Sequence, residues 1–298
     1  MRISIIGTGM IATEVISMLR TEGKGIEITS LFSHSDKDKA QSLAKANRIA
    51  RVYTDYTQLL KEDDADFVYI ALVNSAHYDY VRQALEADRN VIVEKPFTTS
   101  LSQAEDLASL ARSRNLYLFE AVSLLHTPNF KLVKDSLTRI APIHLMQCNF
   151  SQYSSRFERY LQGDIAPAFN PKLGGGAIND LNVYNINTVI GLFGEPLTTT
   201  YYANRGHNGI DTSGTMVLSY PTLTATCTAA KDSSSPSFTI IQGEKGWIRI
   251  PTTANEFGSV EIMEGGKLTS YQRNAYERVY GLQRRLGKEG LQAHGRMA

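Results

Sequence analysis

Short apolar runs alternate with amphipathic helical patterns through the first 120 residues of the chain. Runs of this length, rich in aliphatic and aromatic side chains, are typical of buried strands. The predicted strands are Ile3–Ile6, Ile26–Phe32, Asp66–Leu72, Asn90–Val93 and Leu116–Phe119. The helices predicted between them include Asp36–Ala46, His77–Ala87 and Ser102–Arg114. Because short connections join alternating strands and helices, the pattern predicts an α/β domain with a doubly wound parallel sheet.

The pattern changes after residue 120. A helical stretch, Phe130–Leu137, leads into a strand that ends at Phe150. Between residues 198 and 271 many strand-like runs are separated by Gly, Asn and Pro, with little helical pattern. These runs include Thr215–Tyr220, Leu223–Ala229, Phe238–Gln242 and Trp247–Ile250. We therefore predict two domains, residues 1–120 and 121–298, the second an α+β domain with a largely antiparallel open sheet.

The first predicted strand runs directly into Gly7-Thr8-Gly9-Met10-Ile11-Ala12, a G-x-G-x-x-A sequence. In the dinucleotide-binding turn of a Rossmann domain, the first glycine makes the tight turn and the second lets the backbone approach a pyrophosphate. The final small residue allows the helix to pack closely on the strand. A helix that begins near Met10 would direct its free N–H groups at the phosphates. With a strand before it and a helix after it, the motif favours nucleotide binding over a purely structural turn.

Composition narrows the class of protein. The chain is 42% hydrophobic and 20% charged, with a net charge of +1, as in an ordinary globular protein. No basic tract indicates a nucleic-acid partner, and no run of about 18 apolar residues indicates a membrane span. Cys148 and Cys227 lie in strand-like segments without metal-ligand spacing, so we expect no metal site there and two reduced thiols in a cytoplasmic protein.

Two polar segments follow predicted strands in the first domain. Asn74-Ser75-Ala76-His77 comes after Asp66–Leu72, and Glu94-Lys95-Pro96 comes after Asn90–Val93. Ligands of open α/β sheets bind outside the carboxyl ends of the strands. A lysine in that position can be partly desolvated, which lowers its pKa toward the range useful for proton transfer. Lys95 is therefore either a candidate proton-transfer residue or a surface lysine before a proline turn.

Taken together, the motifs resemble the glucose–fructose oxidoreductase/inositol dehydrogenase (Gfo/Idh/MocA) family. The matching residues are Gly7–Ala12, Asn74–His77, Glu94–Pro96, Gly174–Gly176, Asp180 and Tyr184. Many relatives carry histidine at the position of Tyr184, and the tyrosine of this chain resembles the dihydrodiol dehydrogenase-like subgroup in that respect. The resemblance implies NAD(P)-dependent hydride transfer to or from a small polyol, sugar or related carbonyl compound. It also implies a homodimer or higher homo-oligomer that pairs through the sheet of the second domain.

The resemblance assigns Lys95, Asp180 and Tyr184 to the catalytic group. Asp180 and Tyr184 are four residues apart, so on a helix they share one face. A phenol beside an ammonium can exchange a proton with the substrate hydroxyl, and the ammonium stabilises developing alkoxide charge. Asp180 would position the hydroxyl or hold the lysine. Either Tyr184 or Lys95 could be the proton donor.

The resemblance also suggests residues beside the cofactor. His77 could contact the ribose or the nicotinamide, although a histidine at a helix start is more often a cap or a surface residue. Asn74 would pack beside the cofactor, and Glu94 would tie down the lysine loop. These roles join those of Gly7, Thr8, Gly9, Met10 and Ile11 in the glycine turn.

The end of the second strand bears on the choice of cofactor. An NAD-binding domain usually places Asp or Glu there for the ribose 2′-hydroxyl. This chain has Ser33 and His34, with Lys37 nearby, and Asp36 fits better as a helix N-terminal residue. We therefore expect NADP to be preferred to NAD.

The loop after Phe150 contains Tyr153 and Arg156, which we regard as substrate candidates. An equally good interpretation is a surface loop whose aromatic residues anchor it to its own domain.

Two other functions of the protein remain open: a catalytically silent NAD(P)-binding sensor, or a redox-neutral glycosidase that oxidises its substrate transiently. Glycines also interrupt the C-terminal tail, at Gly281, Gly287, Gly290 and Gly295. We expect its last dozen residues to be partly disordered or atypical.

Overall fold

The computed structural model of the protein describes residues 1–21 and 23–274. The chain divides into two units, Met1–Ala121 and a second that begins at Val122. The glycine-interrupted tail lies outside the described residues.

The first unit is built on six parallel strands in the order β3-β2-β1-β4-β5-β6. The strands are β1 (Arg2–Ile6), β2 (Glu27–Phe32), β3 (Arg51–Tyr53), β4 (Phe67–Ile70), β5 (Asn90–Val93) and β6 (Leu118–Glu120). The helices are α1 (Met10–Thr21), α2 (Lys37–Ala46), α3 (Tyr56–Glu62), α4 (His77–Glu86) and α5 (Leu101–Ser113). This is the strand order of a doubly wound dinucleotide-binding sheet, and it confirms the predicted fold class.

Strand β3 and helix α3 were missing from the predicted elements. Three residues are too few to show a periodic pattern, and β3 forms only because Arg51–Tyr53 pairs with the end of β2. Helix α3 begins after Asp55, whose carboxylate accepts a hydrogen bond from the Gln58 amide at 3.1 Å. These elements are fixed by sheet pairing and capping rather than by hydrophobic periodicity.

Gly7 lies where β1 and β4 end side by side. Its φ is +120°, and a Cβ atom there would collide with the backbone carbonyl of Ala71. A residue with a side chain would therefore be strained and would separate the two central strands. Immediately beyond it, Ala12 is fully buried, so α1 packs closely on the sheet.

The second unit contains an eight-stranded sheet in the order β14-β13-β12-β11-β7-β10-β9-β8. Its strands are β7 (Ile143–Ser151), β8 (Thr198–Arg205), β9 (Asp211–Ser219), β10 (Thr224–Ala230), β11 (Phe238–Gly243), β12 (Gly246–Ile250), β13 (Val260–Glu264) and β14 (Lys267–Tyr271). All described pairs in this sheet are antiparallel except β7 with β10, which confirms the predicted architecture.

One face of this sheet is covered by helices. Helices α6 (Pro128–Ile140) and α8 (Val183–Phe193) pack on it, and α7 (Phe157–Leu161) lies in the loop after β7. The predicted helix over residues 130–137 is thus real but longer at both ends, because Thr127 caps it and Pro128 starts it. The side chains of Cys148 and Cys227 are buried in the core of this unit, unpaired by any disulfide.

Candidate active site

The glycine turn leaves the start of α1 open. A Cβ atom on Gly9 would meet no atom within 4 Å, and Met10 is 62% exposed. The Gly9 carbonyl accepts hydrogen bonds from the Thr13 amide at 3.1 Å and from its hydroxyl at 3.0 Å. The first N–H groups of any α-helix have no partner within the helix. The turn therefore fits a pyrophosphate, which needs close backbone approach and several N–H donors.

The residues after β2 are arranged around the start of α2. Asp36 accepts a hydrogen bond from the Lys39 amide at 2.9 Å and so caps this helix. The Ser33 hydroxyl accepts from the Asp36 amide at 3.3 Å. The carboxylate of Asp36 is thus engaged in capping, while His34 and Lys37 are exposed at the strand end. This part of the site offers a hydroxyl, an imidazole and an ammonium to a ribose substituent, beside the capping carboxylate of Asp36.

His77 connects the two loops that follow β4 and β5. Its side chain is fully buried, with Nδ1 2.8 Å from the Pro96 carbonyl and Nε2 3.3 Å from the Leu72 carbonyl. Burial lowers the pKa of the imidazole below its ordinary value, so the ring is neutral at pH 7. The shorter contact identifies Nδ1 as the donor. In this structure the imidazole holds the loops together instead of presenting an edge to a ligand.

Carboxylates hold the Lys95–Pro96 segment, which contains a cis peptide bond. Glu94 accepts a hydrogen bond from the Tyr69 hydroxyl at 2.7 Å and from the Lys95 amide at 3.3 Å. Glu120 accepts from the amide that follows the proline, at 2.9 Å. The backbone that carries the Lys95 side chain is therefore fixed on both sides.

The glycine run of the second unit is shaped by close contacts. Gly176 has φ +110°, and a Cβ atom there would collide with the Asp211 carboxylate. A Cβ atom on Gly175 would lie 2.7 Å from the Pro167 carbonyl oxygen. Asp211 accepts hydrogen bonds from the Ile178 amide at 2.7 Å and from the Tyr201 hydroxyl at 2.8 Å. Asp211 therefore anchors the start of the helical segment. Burial, together with the hydrogen bond to Asp211, raises the pKa of Tyr201.

Asp180 lies in a π-helical turn, Ile178–Asn182, and α8 begins only after it. Asp180 and Tyr184 therefore lie on one continuous helical segment, as expected, but its first turn is π-helical rather than α-helical. Asn182 donates to the Cys227 carbonyl at 2.9 Å, and Asn185 donates to the Thr228 carbonyl at 2.9 Å. These two amides tie the widened turn to β10, which explains why the sequence can hold a π turn here.

A lysine not identified from the sequence holds Asp180. The ammonium of Lys231, which directly follows β10, lies 2.7 Å from the Asp180 carboxylate. Only 2% of the Lys231 side chain is exposed, against 36% of the Asp180 side chain. The signal was present in the sequence, because Lys231 follows a buried strand just as Lys95 does.

The other candidates of the second unit lie in different surroundings. Tyr184 is 9% exposed and its ring centroid lies 6.2 Å from that of Phe150. Tyr153 is 42% exposed, and its hydroxyl donates to Glu158. Arg156 is exposed just before α7. The aromatic rings nearby stack within the unit, in agreement with the anchoring interpretation of this loop; they are Phe157, Tyr160 and Phe169.

A doubly wound sheet with a glycine turn, followed by an α+β unit that carries an acid and a tyrosine, defines a class of two-domain nicotinamide-dependent oxidoreductases. The model of an oxidoreductase family with an NAD-binding Rossmann fold matches residues 1–122. The model of the GFO/IDH/MocA C-terminal domain matches residues 138–249. The chain therefore belongs to the Gfo/Idh/MocA family, as its motifs indicated, and is an NAD(P)-dependent oxidoreductase.

Similar proteins fit this assignment. The scyllo-inositol 2-dehydrogenase (NADP⁺) IolU of Bacillus subtilis is 31% identical over 251 residues, which cover 84% of this chain and 76% of that one. A trans-1,2-dihydrobenzene-1,2-diol dehydrogenase of Xenopus laevis is 26% identical over 276 residues, covering 90% and 79%. The 3-ketoreductase KijD10 of Actinomadura kijaniata, solved with NADP and TDP-benzene, has a TM-score of 0.84 at 25% identity, covering 98% and 90%. Among residues 1–21 and 23–274, no helix is long and apolar enough to cross a bilayer.

Proposed function

We propose that the protein transfers a hydride between NADP(H) and a small polyol, sugar or related carbonyl substrate. Asp180 carries this proposal. Its carboxylate is held by a buried ammonium, yet 36% of the side chain is accessible. An ionised carboxylate accepts hydrogen bonds and suits a substrate that presents hydroxyl groups. Relatives described as an inositol dehydrogenase, a dihydrodiol dehydrogenase and a 3-ketoreductase support this substrate class.

NADP would be held by the glycine turn and the end of β2. Residues 7–11 would take the pyrophosphate, and Asn74 would lie beside the cofactor. His34 and Lys37, exposed after Ser33, would face the 2′-phosphate, since Asp36 is committed to its helix cap. IolU is an NADP⁺ enzyme and KijD10 was solved with NADP, which supports this preference over NAD. The bound nicotinamide supplies the hydride acceptor for oxidation or the donor for reduction.

The proton is handled by this chain's own residues. In oxidation, the substrate C–H leaves as hydride while the hydroxyl proton passes to a base, and in reduction the same group returns the proton. Tyr184 and Lys95 are the two candidates for that group, with Asp180 orienting the hydroxyl. The relative loss of turnover in Tyr184→Phe and Lys95→Met, each measured across pH, would identify the donor.

His77 and Glu94 support the catalytic lysine indirectly in this proposal. Both bond to the loop around Lys95, one through the Pro96 carbonyl and one through the Lys95 amide. We assign His77 to positioning this loop, in place of a direct contact with ribose or nicotinamide, because its side chain is fully buried. Tyr153 and Arg156 remain candidates for substrate binding, since both are exposed.

We also infer the assembly and location of the protein. The face of the eight-stranded sheet opposite its helices contains a depression of about 960 Å³ lined by polar side chains such as Gln147, Asn149 and Thr228. Pairing of two copies through this face would give the homodimer that the family resemblance implies, and light scattering would measure it.

The two buried cysteines, which form no disulfide, support a cytoplasmic location. The first domain would bind cofactor and the second substrate.

A substrate panel tests the proposal. Purified protein is assayed with NADP⁺ or NADPH and a set containing scyllo-inositol, a cyclic trans-diol, aldoses and dicarbonyl compounds, with nicotinamide absorbance as the readout. Turnover of any member with net change of the nicotinamide supports the proposal. Cofactor binding without turnover on any member would favour a sensor, whereas glycoside cleavage without net oxidation would favour the redox-neutral alternative.

A further inference from the structure

Lys231 places an ionisable amino group in the interior of the second unit, with 2% of its side chain exposed. Its ammonium donates to the Asp180 carboxylate at 2.7 Å and to the Ala168 carbonyl at 2.6 Å. It also lies 4.3 Å from the centroid of the Phe169 ring. Burying an ammonium without partners costs several kcal/mol, so such a group persists only where the surroundings compensate it. A carboxylate, a carbonyl and an aromatic face together keep Lys231 charged.

The three partners belong to two different segments of the chain. Ala168 and Phe169 lie in the turn that packs on Gly175, and Asp180 lies in the π turn. The 167–169 turn is itself fixed, because Asn208 donates to the Phe169 carbonyl at 2.9 Å. Lys231 therefore connects the 167–169 turn, which precedes the glycine run, to Asp180, which lies beyond it.

The contact with Lys231 affects how the Asp180 carboxylate can bind a ligand. One of its oxygens, Oδ2, receives the ammonium. A carboxylate has about four acceptor positions, and this contact takes one of them. The accessible part of the side chain can thus accept a hydrogen bond from a ligand while the ammonium favours the ionised form. Because the Lys231 ammonium is buried, water screens its attraction for the Asp180 carboxylate less than it would screen that of an exposed lysine.

We propose that Lys231 is a positioning residue, which fixes the orientation and ionised state of Asp180 so that this carboxylate accepts the substrate hydroxyl. The proposal rests on the role assigned to Asp180 in the proposed function. In this proposal Lys231 contacts no reacting atom and influences the reaction through Asp180. Its removal should therefore lower turnover and leave cofactor affinity unchanged.

A double-mutant cycle tests this. Lys231→Met, Asp180→Asn and the double variant are compared with the wild type on the best substrate of the panel, beginning with scyllo-inositol. We expect Lys231→Met to lower kcat/KM by at least about tenfold, and to have less than about a threefold effect in the Asp180→Asn background. NADPH affinity should stay within about twofold, because the glycine turn is untouched. Lys172→Met, an exposed lysine of the same unit, is the matched control and should match the wild type.

The outcomes separate the two claims. Wild-type kcat/KM in folded Lys231→Met, or additive losses in the cycle, would overturn the positioning role. Wild-type turnover in Asp180→Asn would instead overturn the proposed site itself. If Lys231→Met does not fold, the wild type still gives an answer by NMR of its ¹⁵N-labelled lysine ammonium groups. A slowly exchanging ammonium signal that disappears in Asp180→Asn supports the pairing, and absence of such a signal in the wild type contradicts it.

Discussion

The imidazole of His77 donates to the Pro96 carbonyl at 2.8 Å, across 19 residues of sequence. This bond joins the start of α4 to the loop that carries the proposed catalytic lysine. Because His77 follows β4 and Pro96 follows β5, this one bond links the loops beyond two adjacent parallel strands. The Asn74–His77 and Glu94–Pro96 motifs are thus joined by a direct hydrogen bond between His77 and Pro96.

His77→Leu should loosen this loop. It leaves the Pro96 carbonyl without its donor, and we expect a loss of about 1–3 kcal/mol in the free energy of unfolding. We also expect turnover to fall by more than cofactor affinity does, since the lysine loop loses its support. Urea unfolding and steady-state kinetics of the same preparation measure both effects. Unchanged stability would mean that the buried bond contributes nothing.

The same histidine should make stability depend on pH. Its folded-state pKa is lowered by burial, so the unfolded chain binds the proton more readily than the folded protein does. The contribution of His77 is therefore complete above the ordinary histidine pKa and declines as the pH falls below it. The urea midpoint of the wild type should drop more between pH 7.5 and acidic pH than that of His77→Leu. Parallel midpoints for the two proteins would contradict this prediction.

The two glycines of the nucleotide turn should respond differently to alanine. Gly9→Ala places its Cβ in open space, so stability should stay within about 0.5 kcal/mol of the wild type. NADPH affinity should nevertheless fall at least about tenfold, because the methyl group would occupy space needed by the pyrophosphate. Gly7→Ala meets the Ala71 carbonyl at a positive φ and should cost more than about 2 kcal/mol of stability. Fluorescence titration and thermal unfolding separate the two effects, and equal NADPH affinity in Gly9→Ala and the wild type would place the pyrophosphate elsewhere.

His34→Arg should tighten NADPH binding. An arginine at this exposed position can form two parallel hydrogen bonds with a 2′-phosphate through its planar guanidinium, a geometry that an imidazole lacks. NADH, which lacks that phosphate, is the internal control and should bind with unchanged affinity. If His34→Arg binds NADPH no more tightly, the end of β2 does not contact the 2′-phosphate.

Lys95→Ala should lower turnover by a hundredfold or more while cofactor binding is kept. The expectation follows from its proposed role in proton transfer. Lys61→Ala, which removes an exposed lysine of the same unit, is the matched control. Wild-type turnover in Lys95→Ala would remove this lysine from the mechanism.

The sequence predicted the parallel sheet well because buried strands and amphipathic helices each carry a strong local pattern. It also predicted that Asp36 would serve α2, since capping is a local interaction. It could not predict the π turn around Asp180, which depends on amides that reach the distant strand β10. The sequence does place Lys231 after a buried strand, but it does not show that its carboxylate partner lies 51 residues away. Patterns report local preferences, whereas these contacts depend on the tertiary fold.

The central claim is net hydride transfer by this protein, and an isotope experiment tests it most directly. NADPH carrying deuterium at the transferable position is incubated with the protein and the carbonyl form of its best panel substrate, and the product is analysed by mass spectrometry. The proposed function predicts one deuterium bound to carbon in the alcohol product for each NADP⁺ formed. Product without carbon-bound deuterium, or substrate conversion with no change in the NADPH concentration, would contradict it.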